Sequence, residues 1–150
     1  KLAQLEAKGK LKAIITQNID GLHAPAQEVL ELHGSVHRNH CVRCGRAYAL
    51  ADILASEGVP RCSCGGIIKP DVVLYEEPLD EAVLDRAVCH IQQADLLLIG
   101  GTSLNVYPAA GLIRYFQGRD LVIINREPTP VDRRASLVIQ GSIGEIFATL

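Results

Sequence analysis

The chain has 150 residues, 48% of them hydrophobic, and a formal net charge of −2, enough apolar content for one globular core with room for a small insertion. No block of five or more basic residues occurs, which removes the electrostatic footprint of a nucleic-acid binder. No apolar run approaches the roughly 18 residues of a membrane span, and the opening KLAQLEAKGKLKA has neither an uninterrupted apolar core nor a small-residue cleavage site.

In chain order, residues 1 to 9 place Leu2 and Leu5 at helical spacing and end on Gly9, a residue that adopts the left-handed helix stop cheaply. LKAIIT (11–16) reads as a strand, as do VVLY (72–75), LLLIG (96–100), LVIIN (121–125) and SLVIQG (136–141). In four of the five, near-continuous apolarity predicts strands covered on both faces. Between them, Leu79, Val83, Ala87, Ile91 and Ala94 form the apolar stripe of an amphipathic helix over 79–94. Pro108 opens a further helix, AAGLIRYFQ, closed by Gly118, and IGEIFATL (143–150) makes a last turn or two. Alternating strands and helices predict a Rossmann-like α/β fold with a parallel sheet, whose ligands bind at the carboxyl ends of the strands. Polar clusters stand at three such ends: TQNID after the first strand, GGTS after LLLI, and NREPTP after LVII.

Residues 40–68 interrupt this pattern and read as an inserted module, leaving 1–39 and 69–150 for the α/β domain. The module contains CVRCG and, after the seventeen residues from Gly45 to Arg61, CSCGG. Two close cysteine pairs, each followed by glycine, match two knuckles delivering four thiolates to a tetrahedral zinc ion. Cys41, Cys44, Cys62 and Cys64 are therefore the expected ligands. His37 and His40, just upstream, could stand in for one of them. With four thiolates the site has no open position, so the zinc is structural. Reduced, metal-binding cysteines also point to a reducing, cytoplasmic compartment, and the fifth, Cys89, is expected to be buried in the amphipathic helix.

The GGTS turn presents amides and two hydroxyls where a phosphate or ribose could approach, although a tight turn alone would look the same. Asn125, Arg126 and Glu127 stand where a doubly wound fold often places a group on ribose hydroxyls. The motifs TQNIDGLH, ELHGS, CxxC with CxC, KPDVVLYEE, GGTSLNVYP and INREP, in that order across residues 14–143, resemble the sirtuin family of NAD-dependent protein deacylases.

The resemblance implies NAD and zinc as cofactors, acylated lysine peptides or proteins as partners, and transfer of the acyl group from lysine to ADP-ribose with release of nicotinamide. It makes His33 of HGS the general base, an imidazole being able to accept a ribose hydroxyl proton near neutral pH. Gln17, Asn18, Ile19 and Asp20 match the family's pocket for the nicotinamide ribose and carboxamide, with Asn18 and Asp20 beside His33 in the catalytic set. Gly101, Thr102 and Ser103 match its NAD-contacting loop, Asn125 and Glu127 its adenosine-ribose contacts, and Ile143 a backbone contact to adenine. Val72, Val73, Leu74, Tyr75 and Glu76, with Asn105, Val106 and Tyr107, match two segments between which an acylated peptide lies as an added strand.

Three departures accompany the resemblance. The family's opening strand with its GAGxS loop and the loop ending in Asp-Phe-Arg are not present, so the chain is expected to be part of a longer protein and could itself be an inactive zinc-bearing fragment. The link between His23 and His33 is about two residues short. Tyr75-Glu76-Glu77 stands where the family has Phe-Gly-Glu, narrowing the backbone options and adding a carboxylate that favours basic substrates. Two rival functions remain: a zinc-bearing binding module and a protein ADP-ribosyltransferase.

Overall fold

The computed structural model describes residues 1–149. In chain order the elements are α1 (Leu2–Ala7), β1 (Ile14–Thr16), β2 (Val29–Glu31), β3 (Gly34–Cys41), β4 (Ala47–Ala49), α2 (Leu50–Leu54), β5 (Ile68–Val72), α3 (Glu81–Gln93), β6 (Leu96–Gly100), β7 (Asp120–Asn125), β8 (Leu137–Gln140) and α4 (Ile143–Ala148). Two 3-10 segments, Ala109–Tyr115 and Asp132–Arg134, flank β7. The chain forms two compact units, Ile14–Val83 in one, Lys1–Ala13 with Leu84–Leu150 in the other.

In the Ile14–Val83 unit β1 and β2 pair in parallel, Ile14 opposite Val29 and Thr16 opposite Glu31. Ile14, Leu30 and Leu32 are buried beneath this pair, and full burial of a leucine stabilises by roughly 1.5–3 kcal/mol. A second sheet, ordered β4-β3-β5, is antiparallel throughout. Its long central strand is polar in sequence, GSVHRNHC, yet buries Ser35, Asn39 and Cys41. Asn39 is tolerated there because its side-chain amide donates to the Val36 carbonyl at 3.1 Å, so burial leaves it bonded.

In the other unit β6, β7 and β8 form a parallel sheet in that order, Leu97 opposite Leu121 and Ile123 opposite Val138. Residues 101–119 and 126–136 supply the crossovers that parallel strands need. The stripe on α3 is inward as expected, with Ala87 and Ile91 buried. α1 stops before Gly9, whose φ of +67° lies in the left-handed region. The C-terminal helix is confirmed through Ala148, its expected last residue, Leu150, lying outside the described residues.

Four expectations change. VVLY is not a strand of a parallel sheet. Only Val72 belongs to β5, an outer antiparallel strand that tolerates Pro70 because an outer strand can leave an N–H position unpaired. Leu74 and Tyr75 are exposed in the turn that follows. The strands of the parallel sheet are not all covered on both faces: central β7 buries Leu121, Ile123 and Ile124, whereas Leu96 and Leu98 of β6 and Leu137 and Val138 of β8 are exposed. The segment after Pro108 is a 3-10 rather than an α-helix. Cys89 faces outward on α3, its sulfur accepting from the Gln93 amide at 3.2 Å.

Candidate active site and metal centre

The parallel pairing of β1 with β2 assembles the first part of the site. Residues 17–28 cross from one strand to the other in turns, with Ala24 N donating to Gly21 O and Ala26 N to His23 O. About a dozen residues is the shortest span a parallel crossover allows, so the short APAQEV link is just sufficient. His23 contributes its carbonyl to this loop. Leu32 N then donates to Thr16 O at 2.9 Å, returning the chain to where the crossover began. His33 consequently stands beside Gln17, sixteen positions away in sequence, and its Nδ1 donates to the Gln17 carbonyl at 3.1 Å. A carbonyl can only accept, so the proton is on Nδ1 and the neutral ring keeps its lone pair on Nε2.

The TQNID tip is held from within and by β3. Asn18 N donates to Thr16 Oγ1 at 3.1 Å, and Asp20 Oδ1 accepts from Leu22 N at 3.0 Å, a carboxylate-closed turn. Val36 N donates to Ile19 O at 3.1 Å. Gln17 and Ile19 are half-buried, Asn18 and Asp20 exposed.

The same unit brings Val72 and Val73 against the His33–Gly34 backbone. Gly34 is opposite Val72 in the β3–β5 register, and Val73 N donates to His33 O at 3.1 Å. Gly34 has φ +73°, and a Cβ there would overlap the Asp71 carbonyl. Gly34→Ala is expected to cost about 2–5 kcal/mol, combining left-handed strain with backbone overlap. Chemical denaturation measures it; a loss under about 1 kcal/mol would mean that this backbone approach is not needed.

After β5, Glu77 closes the turn: its carboxylate accepts from Leu74 N at 2.9 Å and from Lys69 Nζ at 3.2 Å. These bonds, the Leu74 amide foremost, hold its carboxyl below the usual carboxylate range. Glu76 takes φ +68°, the conformation that glycine adopts without cost. Its carboxylate has no partner among the described residues. Glu76→Gly is expected to raise stability by about 0.5–1 kcal/mol, strain relief exceeding the added chain entropy, read as a melting temperature a few degrees higher. An unchanged or lower melting temperature would show that Glu76 is unstrained.

In the other unit the parallel sheet places three carboxyl ends side by side. Gly101 N donates to Ile124 O at 3.0 Å, Gly141 N to Asn125 O at 3.0 Å, and Ile143 packs on Gly100 and Gly101. Gly101–Ser103, Asn125 and Ile143 therefore form one group. Thr102 Oγ1 accepts from Leu104 N at 3.2 Å, and the Asn125 amide donates to Glu127 O at 2.8 Å, while the carboxylate of Glu127 is exposed at this sheet end. Asn105, Val106 and Tyr107 follow β6 in this unit and are exposed.

The four cysteines meet as the spacing predicts. Their Sγ atoms lie within 4.8 Å of one another, with Cys41–Cys64 at 3.5 Å and Cys44–Cys62 at 3.6 Å. Disulfide sulfurs stand about 2.05 Å apart, whereas a tetrahedron of Zn–S bonds of about 2.3 Å has edges of about 3.8 Å. Gly66 completes the cradle, since a Cβ there would lie 2.6 Å from Cys41 Sγ. The amide of Cys64 and the Tyr48 hydroxyl hold the Cys62 thiol down to about 5. For Cys64 the Gly66 amide acts downward, but the sulfurs of Cys41, Cys62 and Cys44 outweigh it and push the thiol up to about 12. Four thiolates crowded together resist sharing so much negative charge, and a divalent cation removes that conflict. The residues fit zinc. Neither upstream histidine belongs to the set: His40 Nδ1 pairs with Asp71 Oδ1, and His37 turns to Asp20. Sequence reasoning passes over Tyr48 and Glu77, because a tyrosine in a short strand and a second glutamate in an acidic pair carry no local mark of their partners.

Known proteins resemble this chain along almost its whole length. An NAD-dependent protein deacetylase of Cutibacterium acnes is 58% identical over 99% of the chain, and one of Clostridium perfringens 61% identical over 97%. The chain spans 62% of the length of each. Among solved structures, Sir2 with p53 peptide and NAD+ superposes with a TM-score of 0.90 at 40% identity, covering 99% of this chain and 65% of that one. Sir2 bound to acetylated peptide gives 0.89 at 38% identity, covering 99% and 66%. At that identity the likeness carries the Rossmann-like α/β fold with its cysteine module. The Sir2 family model matches residues 1–108, from α1 past the tip, the HGS turn, all four cysteines and the GGTS turn, and the chain belongs to that family.

Proposed function

We propose that the protein carrying this chain removes acyl groups, acetyl in the first instance, from protein lysines in an NAD-dependent reaction that yields nicotinamide and O-acyl-ADP-ribose. The observation that carries the reading is the bond from His33 Nδ1 to the Gln17 carbonyl, which leaves Nε2 basic at the edge of the TQNID tip. Bound NAD supplies an electrophilic ribose carbon and a nicotinamide leaving group. Gln17, Asn18, Ile19 and Asp20 grip the nicotinamide end, their amides and carboxylate orienting the carboxamide. His33 Nε2 takes a ribose hydroxyl proton, and the Gln17 carbonyl, facing Nδ1–H, stabilises the imidazolium that results. Gly101, Thr102 and Ser103 receive the middle of the cofactor, Glu127 and Asn125 the adenosine ribose, and Ile143 the adenine.

The peptide lies along Val72–Glu76 and Asn105–Tyr107, where backbone bonds give affinity with little demand on sequence. The unpaired carboxylate of Glu76 favours substrates with basic neighbours. Residues 40–68 serve as a structural zinc module inserted in the domain of 1–39 and 69–150. A cytoplasmic location is supported by cysteines suited to metal rather than to disulfides, and no helix among the described residues is long and apolar enough to cross a membrane.

The full-length protein, given an acetyl-lysine peptide and NAD, is expected to release nicotinamide in step with deacetylated peptide. Nicotinamide that instead tracks ADP-ribosylated protein would move the function to ADP-ribosyl transfer.

A further inference from the structure

β3 contacts the tip at three carbonyls. The side chain preceding the strand, His33, binds Gln17 O, the Val36 amide binds Ile19 O, and His37 Nε2 binds Asp20 O at 2.9 Å. The last contact comes from an exposed side chain of the strand, with the ring laid against Gly21: a Cβ at Gly21 would fall 2.5 Å from His37 Cδ2 and 2.6 Å from Nε2. Gly21 holds φ +71°, so the chain reverses directly beneath the imidazole. The carboxylate of Asp20 is meanwhile engaged by Leu22 N within the same turn. The far end of the tip is thus tied to the sheet by one imidazole N–H, and its near end by another. The backbone of His37 is fixed in turn, its amide donating to Ser35 Oγ at 3.2 Å, with Ser35 fully buried.

We infer that His37 is a positioning residue for the tip, clamping the Asp20 carbonyl so that the Gln17–Asp20 segment keeps the conformation that receives NAD. The inference rests on the proposed NAD-dependent reaction for its kinetic consequence, but not for the clamp itself. A neutral hydrogen bond contributes on the scale of a several-fold change in an equilibrium constant. The ring of His37 does not bear the reacting proton. Its loss should therefore weaken cofactor capture and leave the peptide side unaltered.

The test compares His37→Phe, which keeps a ring against Gly21 and removes the donor, with His37→Gln, whose side-chain amide can reach the same carbonyl. In the full-length protein, Phe is expected to raise the KM for NAD about three- to tenfold, with the KM for acetyl peptide and the zinc content unchanged, and Gln to restore most of the loss. Hydrogen exchange of amides 18–22 reads the clamp without turnover: faster in Phe, near wild type in Gln. If wild-type protein shows no NAD-dependent reaction, the functional reading fails, and the exchange arm alone decides the clamp. Equal exchange in wild type and His37→Phe, or a Gln variant no better than Phe, overturns the inference. So does a peptide KM that rises together with that for NAD.

Discussion

Replacing His33 by asparagine is expected to lower NAD-dependent deacylation about 10²- to 10⁴-fold, the usual contribution of a positioned general base, while leaving NAD binding close to wild type. The reason lies in the two ring nitrogens. Asparagine can present an N–H to the Gln17 carbonyl, as His33 Nδ1 does now, but has no basic nitrogen in place of Nε2. Alanine removes both functions, so His33→Ala is expected to lose turnover and also loosen the tip, raising the dissociation constant for NAD. The pair separates proton transfer from support. Calorimetric binding of NAD and single-turnover kinetics supply the two readouts, and an asparagine variant that turns over at the wild-type rate would sink the base assignment.

Stripping zinc, or changing Cys62 to alanine, is expected to lower the melting temperature by about 10 °C or more, the shift that a loss of several kcal/mol gives in a chain of this size. The small core of the module consists of Cys41, Cys62 and Ile68 with Tyr48, Ile53 and Cys64 packed on them. Half of those residues are metal ligands, so little apolar packing remains to hold the segment once the metal is gone. Acid should act the same way. The Cys62 thiol by itself is depressed to about 5 from an ordinary value of 9.0, so the stabilisation carried by its thiolate is complete above the ordinary value and is lost progressively as pH falls to about 5. Zinc release, followed with a chromogenic chelator, is expected to increase as pH falls and protons compete with the metal for the thiolates. Metal analysis should find about one zinc per chain, and a metal content unchanged by Cys62→Ala would overturn the four-cysteine site.

The cysteine grouping and the stripe of α3 were legible because each depends on local spacing alone. So was the run of parallel strands β6 to β8, whose apolar residues announce themselves. The sheet of β3, β4 and β5 was not. Its central strand is rich in histidine, arginine and asparagine, and what makes the buried Asn39 acceptable there is a bond to Val36 that no periodicity reveals. VVLY departs from its expected strand for a related reason. Four apolar residues in a row suggest a covered strand, but the carboxylate of Glu77 captures Leu74 N and turns the chain before the run is complete. Membership of the amphipathic helix suggests a buried Cys89, but its position on α3 lies off the Ala87–Ile91 stripe and is exposed. For the site, TQNID and HGS stood out separately. Their adjacency came from the β1–β2 register, a long-range fact that neither motif contains.

One peptide unit joins recognition to chemistry. The carbonyl of His33 receives Val73 N, while its side chain is the proposed base, and β5 is the outer strand of its sheet. A substrate strand laid along that segment could shift only in whole residues, and successive side chains of a strand point to opposite faces. A slip of one residue would turn the acylated lysine away from the imidazole, and a slip of two would carry it nearly 7 Å along the edge. In the proposed reaction the protein would then measure where along an extended chain the modified lysine falls, as a ruler does, and have little need to read the neighbouring letters.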